Sequence, residues 1–156
     1  MDSQFTIVIA DDHPLFRGAL YQAVHMAIDE ARLLEADSID SLTHLLAEHP
    51  EVDLLLLDLK MPGANGFEGL AYLRGQYPDL PIVVVSASED AAIIQQVLRL
   101  GALGFIPKSV PMKELVSALN TVIGGDNWVP EGISLHPESE DGPDFASKLA
   151  SLTPQQ

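Results

Sequence analysis

Short apolar runs and helical apolar stripes alternate along the chain from Phe5 onward. Phe5 to Ala10 (F-T-I-V-I-A) reads as a strand, and Asp11-Asp12 close it. Pro14 falls where a first helical turn would lie, a place where its missing N–H costs nothing. Leu15, Phe16, Ala19, Leu20, Ala23, Val24, Ala27 and Ile28 then recur at helical spacing. Ala31 to Ala36 is a more polar strand, which suits the edge of a sheet. Asp37 or Ser38 is placed to cap a helix carrying Ile39, Leu42, Leu45 and Leu46, and Pro50 bars its continuation. Leu54 to Leu57 are four consecutive leucines ending in Asp58, a run that fits a strand covered on both faces. After a Pro-Gly loop, Asn65-Gly66 opens a helix with Phe67, Leu70, Ala71 and Tyr77. Ile82 to Val85 is the most β-branched run of the chain and leads into Ser86-Ala87-Ser88. Ile93, Ile94, Val97 and Leu98 mark a helix that closes at Gly101, and Gly104 to Pro107 forms a short last strand with Lys108 at its end. Met112 to Ile123 is a final amphipathic helix stopped by Gly124-Gly125.

Strand and helix therefore alternate five times, the signature of βαβ units and an α/β fold with a parallel sheet. Right-handed crossovers leave few topologies. One is the flavodoxin-like (βα)5 three-layer sandwich with strand order 2-1-3-4-5, in which the first and third strands meet at the switch point. In that order Asp11, Asp12 and Asp58 converge, and Ser86 and Lys108 end the fourth and fifth strands on the same rim.

Composition narrows the chemistry. At 156 residues, 47% of them hydrophobic, the chain holds one domain and a tail. Residues 1–125 carry the periodic pattern; residues 126–156 hold six acids, one lysine and four prolines without a lasting period and read as a linker, with a short ordered piece at Asn127-Trp128-Val129. Cysteine is absent, which removes disulfides and thiolate metal sites. No apolar stretch has membrane-spanning length and the acidic N-terminus is no signal peptide, so a cytoplasmic location away from membranes is expected. Twenty-three acids against eight bases give a net charge of −15, a surface that repels phosphate backbones, so this chain is not expected to bind DNA itself.

Three carboxylates in one crevice repel one another unless a cation joins them. Mg²⁺ suits one or two carboxylates, with water and a phosphoryl oxygen completing its shell. Asp58 can then attack phosphorus to give an aspartyl phosphate, with Lys108 facing the transferred group and Ser86 donating to one of its oxygens. Each residue also has a plain structural use: Asp11-Asp12 as a helix cap, Ser86 as a strand terminator, Lys108 as a surface lysine. Their shared position at successive strand ends favours the joint chemical reading. The histidines at 13, 25, 44, 49 and 136 show no paired spacing and read as surface or packing residues.

These residues resemble bacterial response-regulator receiver domains: paired acids after the first strand, D-x-x-M-P-x-x-x-G from Asp58 to Gly66, Ser86-Ala87 after the fourth strand, and Lys108 after the fifth. The resemblance covers residues 5–125. Asp11-Asp12-His13-Pro14-Leu15-Phe16-Arg17, Gly101-Ala102-x-Gly104-Phe105-Ile106-x-Lys108, and Gly124-Gly125 followed by Trp128 are similar to the LuxR/NarL/FixJ branch with helix-turn-helix outputs. The resemblance implies Asp58 as phosphoacceptor and Mg²⁺ held by Asp12, Asp58 and the backbone carbonyl of Lys60, with Asp11 acting mainly through water. It further implies Ser86 and Phe105 as switch residues and Lys108 as the phosphate-pairing cation. Phe105 stands where tyrosine is commoner, so packing alone would report the switched state. Lys60, charged and near the pocket rim, is expected to influence how long a phosphoryl group persists.

The implied partners are a histidine kinase, a second copy of the chain, and DNA only through a C-terminal domain absent from it. Ser151-Leu152-Thr153-Pro154-Gln155-Gln156 is similar to the opening of a LuxR-type DNA-binding domain, so the expected reading is a receiver and linker cut before that domain. The chain would be a signalling switch that takes phosphate onto aspartate from a donor, and not a conventional enzyme. A single-domain or phosphorylation-independent interaction module is the alternative. An aspartyl-nucleophile phosphatase would want a second carboxylate two residues after the first, where Lys60 stands, and a flavin module would want a phosphate cradle where Asp11-Asp12-His13-Pro14 stands.

Overall fold

A computed structural model describes residues 5–130. It contains β1 (Phe5–Ala10), α1 (Pro14–Ala27), β2 (Ala31–Ala36), α2 (Ile39–Glu48), β3 (Leu54–Leu57), α3 (Phe67–Gln76), β4 (Ile82–Ser86), α4 (Ala91–Arg99), β5 (Gly104–Pro107) and α5 (Met112–Ile123). The strands form one parallel sheet in the order β2-β1-β3-β4-β5. This is the flavodoxin-like order expected from the alternation. The histidine at 136 and the Ser151–Gln156 motif lie outside the described residues.

Two apolar clusters sandwich the sheet, because successive side chains of a strand point to opposite faces. Val8, Leu55, Leu57, Val84 and Phe105 meet α2, α3 and α4 on one face. Ile7, Ile9, Leu54, Leu56, Val83 and Ile106 meet α1 and α5 on the other. That double cover explains why β3 can be four leucines, all buried. Each contributes roughly 1.5–3 kcal/mol of burial free energy. β2, which pairs only with β1, is the polar edge strand.

Caps and turns set the helix ends. Ser38 accepts the Ser41 N–H at 3.0 Å while the Ser41 hydroxyl reaches back to the Ser38 N–H at 3.2 Å, a reciprocal capping box for α2. Asp90 caps α4 through the Ala92 N–H at 2.9 Å. Gly101, just past α4, has φ +102°, which an L side chain resists. Two residues depart from the expected stripes: Leu15 is 94% exposed and Ala71 is exposed, with Leu73 taking the buried position on α3. Leu15 stands in the first turn of α1, above the carboxyl rim, where the sheet offers nothing to pack against.

The chain beyond α5 folds back on β5. The Phe105 N–H donates to the Trp128 carbonyl at 3.0 Å, and Asn127 Nδ2 donates to the Leu103 carbonyl at 2.6 Å. Gly104 permits this approach, since a Cβ there would lie 2.6 Å from the Trp128 oxygen. Gly104→Ala is therefore expected to detach Asn127-Trp128 from the edge. The cost should be about 1 kcal/mol, that of one backbone hydrogen bond. Trp128 is the only tryptophan, so a red shift of its emission reads the detachment directly, and an unchanged spectrum would refute it.

Candidate functional site

The carboxyl ends of β1, β3, β4 and β5 share one rim, and the site is built there. Asp11 follows β1 and Asp58 follows β3, and the Asp58 N–H bonds the Ala10 carbonyl at 2.9 Å, so ladder pairing carries both acids to the same level. Asp11 is fixed further by its N–H on the Ala36 carbonyl at 3.0 Å and by Arg17, whose guanidinium donates to the Asp11 carbonyl at 2.7 Å. The Arg17 Nε also faces Glu35 at 3.6 Å. Partial burial, and then the hydrogen bond to Glu35, push the neighbouring Tyr21 phenol above its ordinary pKa.

Asp11 and Asp58 are each 1% exposed, a placement that carboxylates accept only with charge compensation. Lys108 supplies it. Its Nζ lies 3.0 Å from Asp11 Oδ2 and 3.1 Å from Asp58 Oδ2, and it sits 5.0 Å from the centre of the Phe16 ring. Lys108 is aimed by its own N–H, which bonds the Ser86 carbonyl at 2.7 Å and so ties the ends of β4 and β5 together. The other Asp58 oxygen, Oδ1, accepts the Lys60 N–H at 3.0 Å in the turn leaving β3. The glycines of that loop, Gly63 and Gly66, have positive φ, as does Asn65.

The expected residues are thus brought together to different degrees. Asp11, Asp12, Asp58 and Lys108 form one charge cluster. Ser86 is buried on the same rim, and its hydroxyl accepts the Ser88 N–H at 3.2 Å. Ser86, Ser88 and Lys60 line a hollow of about 580 Å³ whose other walls include Met61, Phe67 and Ile93. Phe105 is fully buried in the apolar cluster on the α4 side of the sheet. The Lys60 side chain is exposed.

His13 was expected at the surface, and the structure corrects that expectation in part. Its side chain is 58% exposed, yet Nδ1 lies 3.1 Å from Asp11 Oδ1, 3.2 Å from Asp12 Oδ1 and 3.4 Å from Asp58 Oδ2. The His13 N–H also bonds Asp11 Oδ1 at 2.6 Å. No spacing rule marks such a lone histidine; the one signal was its adjacency to the acid pair.

The donor set fits a hard divalent cation. Asp11 Oδ2 and Asp12 Oδ1 are buried and lack a hydrogen-bond partner among the described residues. Asp11 Oδ2 lies 3.0 Å from the Lys108 ammonium, which balances its charge. One ligand atom from each of Asp11, Asp12, His13 and Asp58 can be chosen so that all lie within 4.8 Å of one another. Orphaned carboxylate oxygens around a shared centre are what Mg²⁺ coordination consumes. Among the described residues no helix is long and apolar enough to cross a membrane.

Residues 7–120 match the response regulator receiver domain family. The chain is 36% identical over 151 residues to the glycerol metabolism activator of Pseudomonas putida, covering 97% of this chain and 68% of that protein. It is also 36% identical over 129 residues to the nitrate/nitrite response regulator protein NarL of Escherichia coli K12, covering 83% of this chain and 59% of NarL. Among solved structures, the isolated REC domain of RcsB from Salmonella enterica serovar Typhimurium, with the phosphomimetic BeF3−, superposes with a TM-score of 0.74 at 25% identity, covering 83% of this chain and 95% of that one. The signal receiver domain of NarL from Mycobacterium tuberculosis gives 0.68 at 31% identity, covering 80% and 99%.

Proposed function

We propose that this chain, which belongs to the response regulator receiver domain family, takes a phosphoryl group onto Asp58 from a histidine kinase or a small acyl phosphate and is switched by it. The observation that carries the reading is the buried Asp58 carboxylate, 3.1 Å from the Lys108 ammonium and beside two acids with unsatisfied oxygens. An Asp58 oxygen attacks phosphorus, the bond from phosphorus to the donor's nitrogen or oxygen breaks, and the leaving group departs with the electron pair. Lys108 follows the charge from carboxylate to phosphoryl oxygen without leaving its place, so little reorganisation is needed. A divalent ion held by Asp11, Asp12, Asp58 and the Lys60 carbonyl would neutralise charge on the transferring oxygens.

Ser86 then exchanges its bond with the Ser88 N–H for one to the phosphoryl group. Phe105 repacks against the shifted hydroxyl, and because it lacks a phenol the signal is one of shape. The surface of α4, β5 and α5 responds, or the α1 and α5 faces pair with a second copy. Differential binding of a partner to the two forms shifts their populations. Residues 1–125 act as the receiver and 126–156 as the connection to an output, which in regulators of this branch is a DNA-binding helix-turn-helix domain. The cytoplasm, where such kinases present phosphohistidine, is the natural setting.

Electrospray mass measurement after incubation with Mg²⁺ and acetyl phosphate tests the reading. A gain of one phosphate is expected, and none for Asp58→Asn. A folded parent that gains nothing would instead support an interaction module that works without phosphorylation. Lys60 stands at the mouth with its backbone N–H on Asp58 and its side chain in solvent. Lys60→Ala is expected to change the decay rate of the phosphorylated form by a few-fold, without changing stability by more than about 0.5 kcal/mol. Decay of the phosphorylated mass with time measures it, and equal rates in the two proteins would dismiss a role for Lys60.

A further inference from the structure

We infer that His13 is a ligand of the ion site, so that the pocket binds a borderline first-row ion such as Zn²⁺ through one imidazole nitrogen together with the carboxylates of Asp11, Asp12 and Asp58. The inference deepens the proposed phosphoacceptor reading and rests on it. Ligand atoms about 2.1 Å from an ion and on neighbouring octahedral corners lie about 3.0 Å apart. His13 Nδ1 stands 3.1, 3.2 and 3.4 Å from one oxygen each of Asp11, Asp12 and Asp58, close to that spacing three times over.

Two further observations bear on the ion site. Asp11 is nearly fully buried and its Oδ2 turns into the pocket without a hydrogen-bond partner among the described residues. His13 Nδ1 also lies 3.1 Å from Lys108 Nζ. The same Nδ1 lies 3.1 Å from Asp11 Oδ1, so it faces an acceptor as well as a donor and stands among all the charges of the pocket. A bound metal would take the neutral ring with its lone pair on Nδ1. An all-oxygen pocket suits Mg²⁺, whereas an imidazole added to carboxylates raises affinity toward the later first-row ions.

The probes are Zn²⁺ and Mg²⁺ alone, titrated calorimetrically into the whole chain and into His13→Gln, whose exposed position should leave folding intact. Loss of even an outer partner of a ligand costs about 10–100-fold in metal affinity, so His13→Gln should weaken Zn²⁺ at least about tenfold. Its Mg²⁺ affinity should stay within a factor of about three, since Mg²⁺ relies on the carboxylates. In protein labelled with ¹⁵N-histidine, Zn²⁺ should shift the ring nitrogen signal of His13 at one equivalent, and Mg²⁺ should reverse the shift by competition. Unchanged His13 signals, or equal losses for both ions in the variant, would overturn the inference while leaving the phosphoacceptor reading intact. A parent that binds neither ion would overturn both.

Discussion

Lys108→Met lowers the unfolding free energy by about 3 kcal/mol in divalent-free buffer, the lower end of the cost of stranding a buried charge. The lysine side chain is only 15% exposed and is the nearest ammonium to two carboxylates that are nearly fully buried. Methionine keeps the length of the stem and its packing on Phe16, so the loss isolates charge from volume. Asp11 and Asp58 are then left facing each other without a neighbouring cation, and their repulsion acts where water screens weakly. Two controls set the sign. Adding Mg²⁺ should recover much of the loss, because an ion bound only to the folded state stabilises it by mass action. Adding Asp58→Asn should also recover part of it, because one of the repelling charges is gone; a double-mutant cycle by urea denaturation reads that coupling. Phosphoryl uptake should fall by about 10²–10³, the typical cost of removing one donor aimed at developing charge. Equal urea midpoints for parent and variant, with or without Mg²⁺, would show that the cluster is not electrostatically coupled.

Phe105→Ala should cost about 3–5 kcal/mol, as large-to-small changes at a fully packed aromatic do. Phe105 is the largest of the fully buried side chains, on a strand covered by α4 on that face. Its backbone is independently pinned, by the ladder to Val84 and by the bond from its N–H to Trp128, so the emptied volume cannot be closed by sliding β5. Where Lys108→Met loses stability and chemistry together, Phe105→Ala should lose stability alone. Initial phosphoryl uptake should stay within about threefold of the parent at temperatures where the variant is folded, since the ring is packed in the apolar cluster on the α4 side of the sheet and a one-ångström disturbance at the chemistry would cost far more. Phe105→Leu, at about 1–2 kcal/mol, keeps the comparison usable if the alanine variant is too unstable. A steep fall in uptake for both would place Phe105 in the chemistry and not only in the packing.

The two variants together separate what the residue pattern encodes from what the folded chain adds. The apolar runs were enough to mark the strands and to show which are covered on both faces, because a residue's face and depth in a covered parallel sheet follow from local alternation and run length. The same runs placed Asp11, Asp58, Ser86 and Lys108 at strand ends, and the parallel direction of the strands puts those ends on one rim. Burial depth follows from chemistry that neighbours in sequence share, so a sequence can state it; the strand order was one of the few topologies that right-handed crossovers leave.

Side-chain direction at the rim is another matter. Leu15 has the apolar character of a core residue and the right spacing, yet it is exposed because no element among the described residues lies over the first turn of α1. His13 looked like a surface residue and turns its Nδ1 inward, drawn by three carboxylates contributed from two strand ends 47 residues apart in the chain, Asp11 and Asp58. Trp128 lay in a stretch without period, and it is held to β5 because Gly104 leaves room for its carbonyl and the edge has an N–H to satisfy. The sequence alone determined which residues reach the carboxyl rim. Only the tertiary structure decided what they face there, because electric field and free volume at a point are sums over atoms distant in sequence.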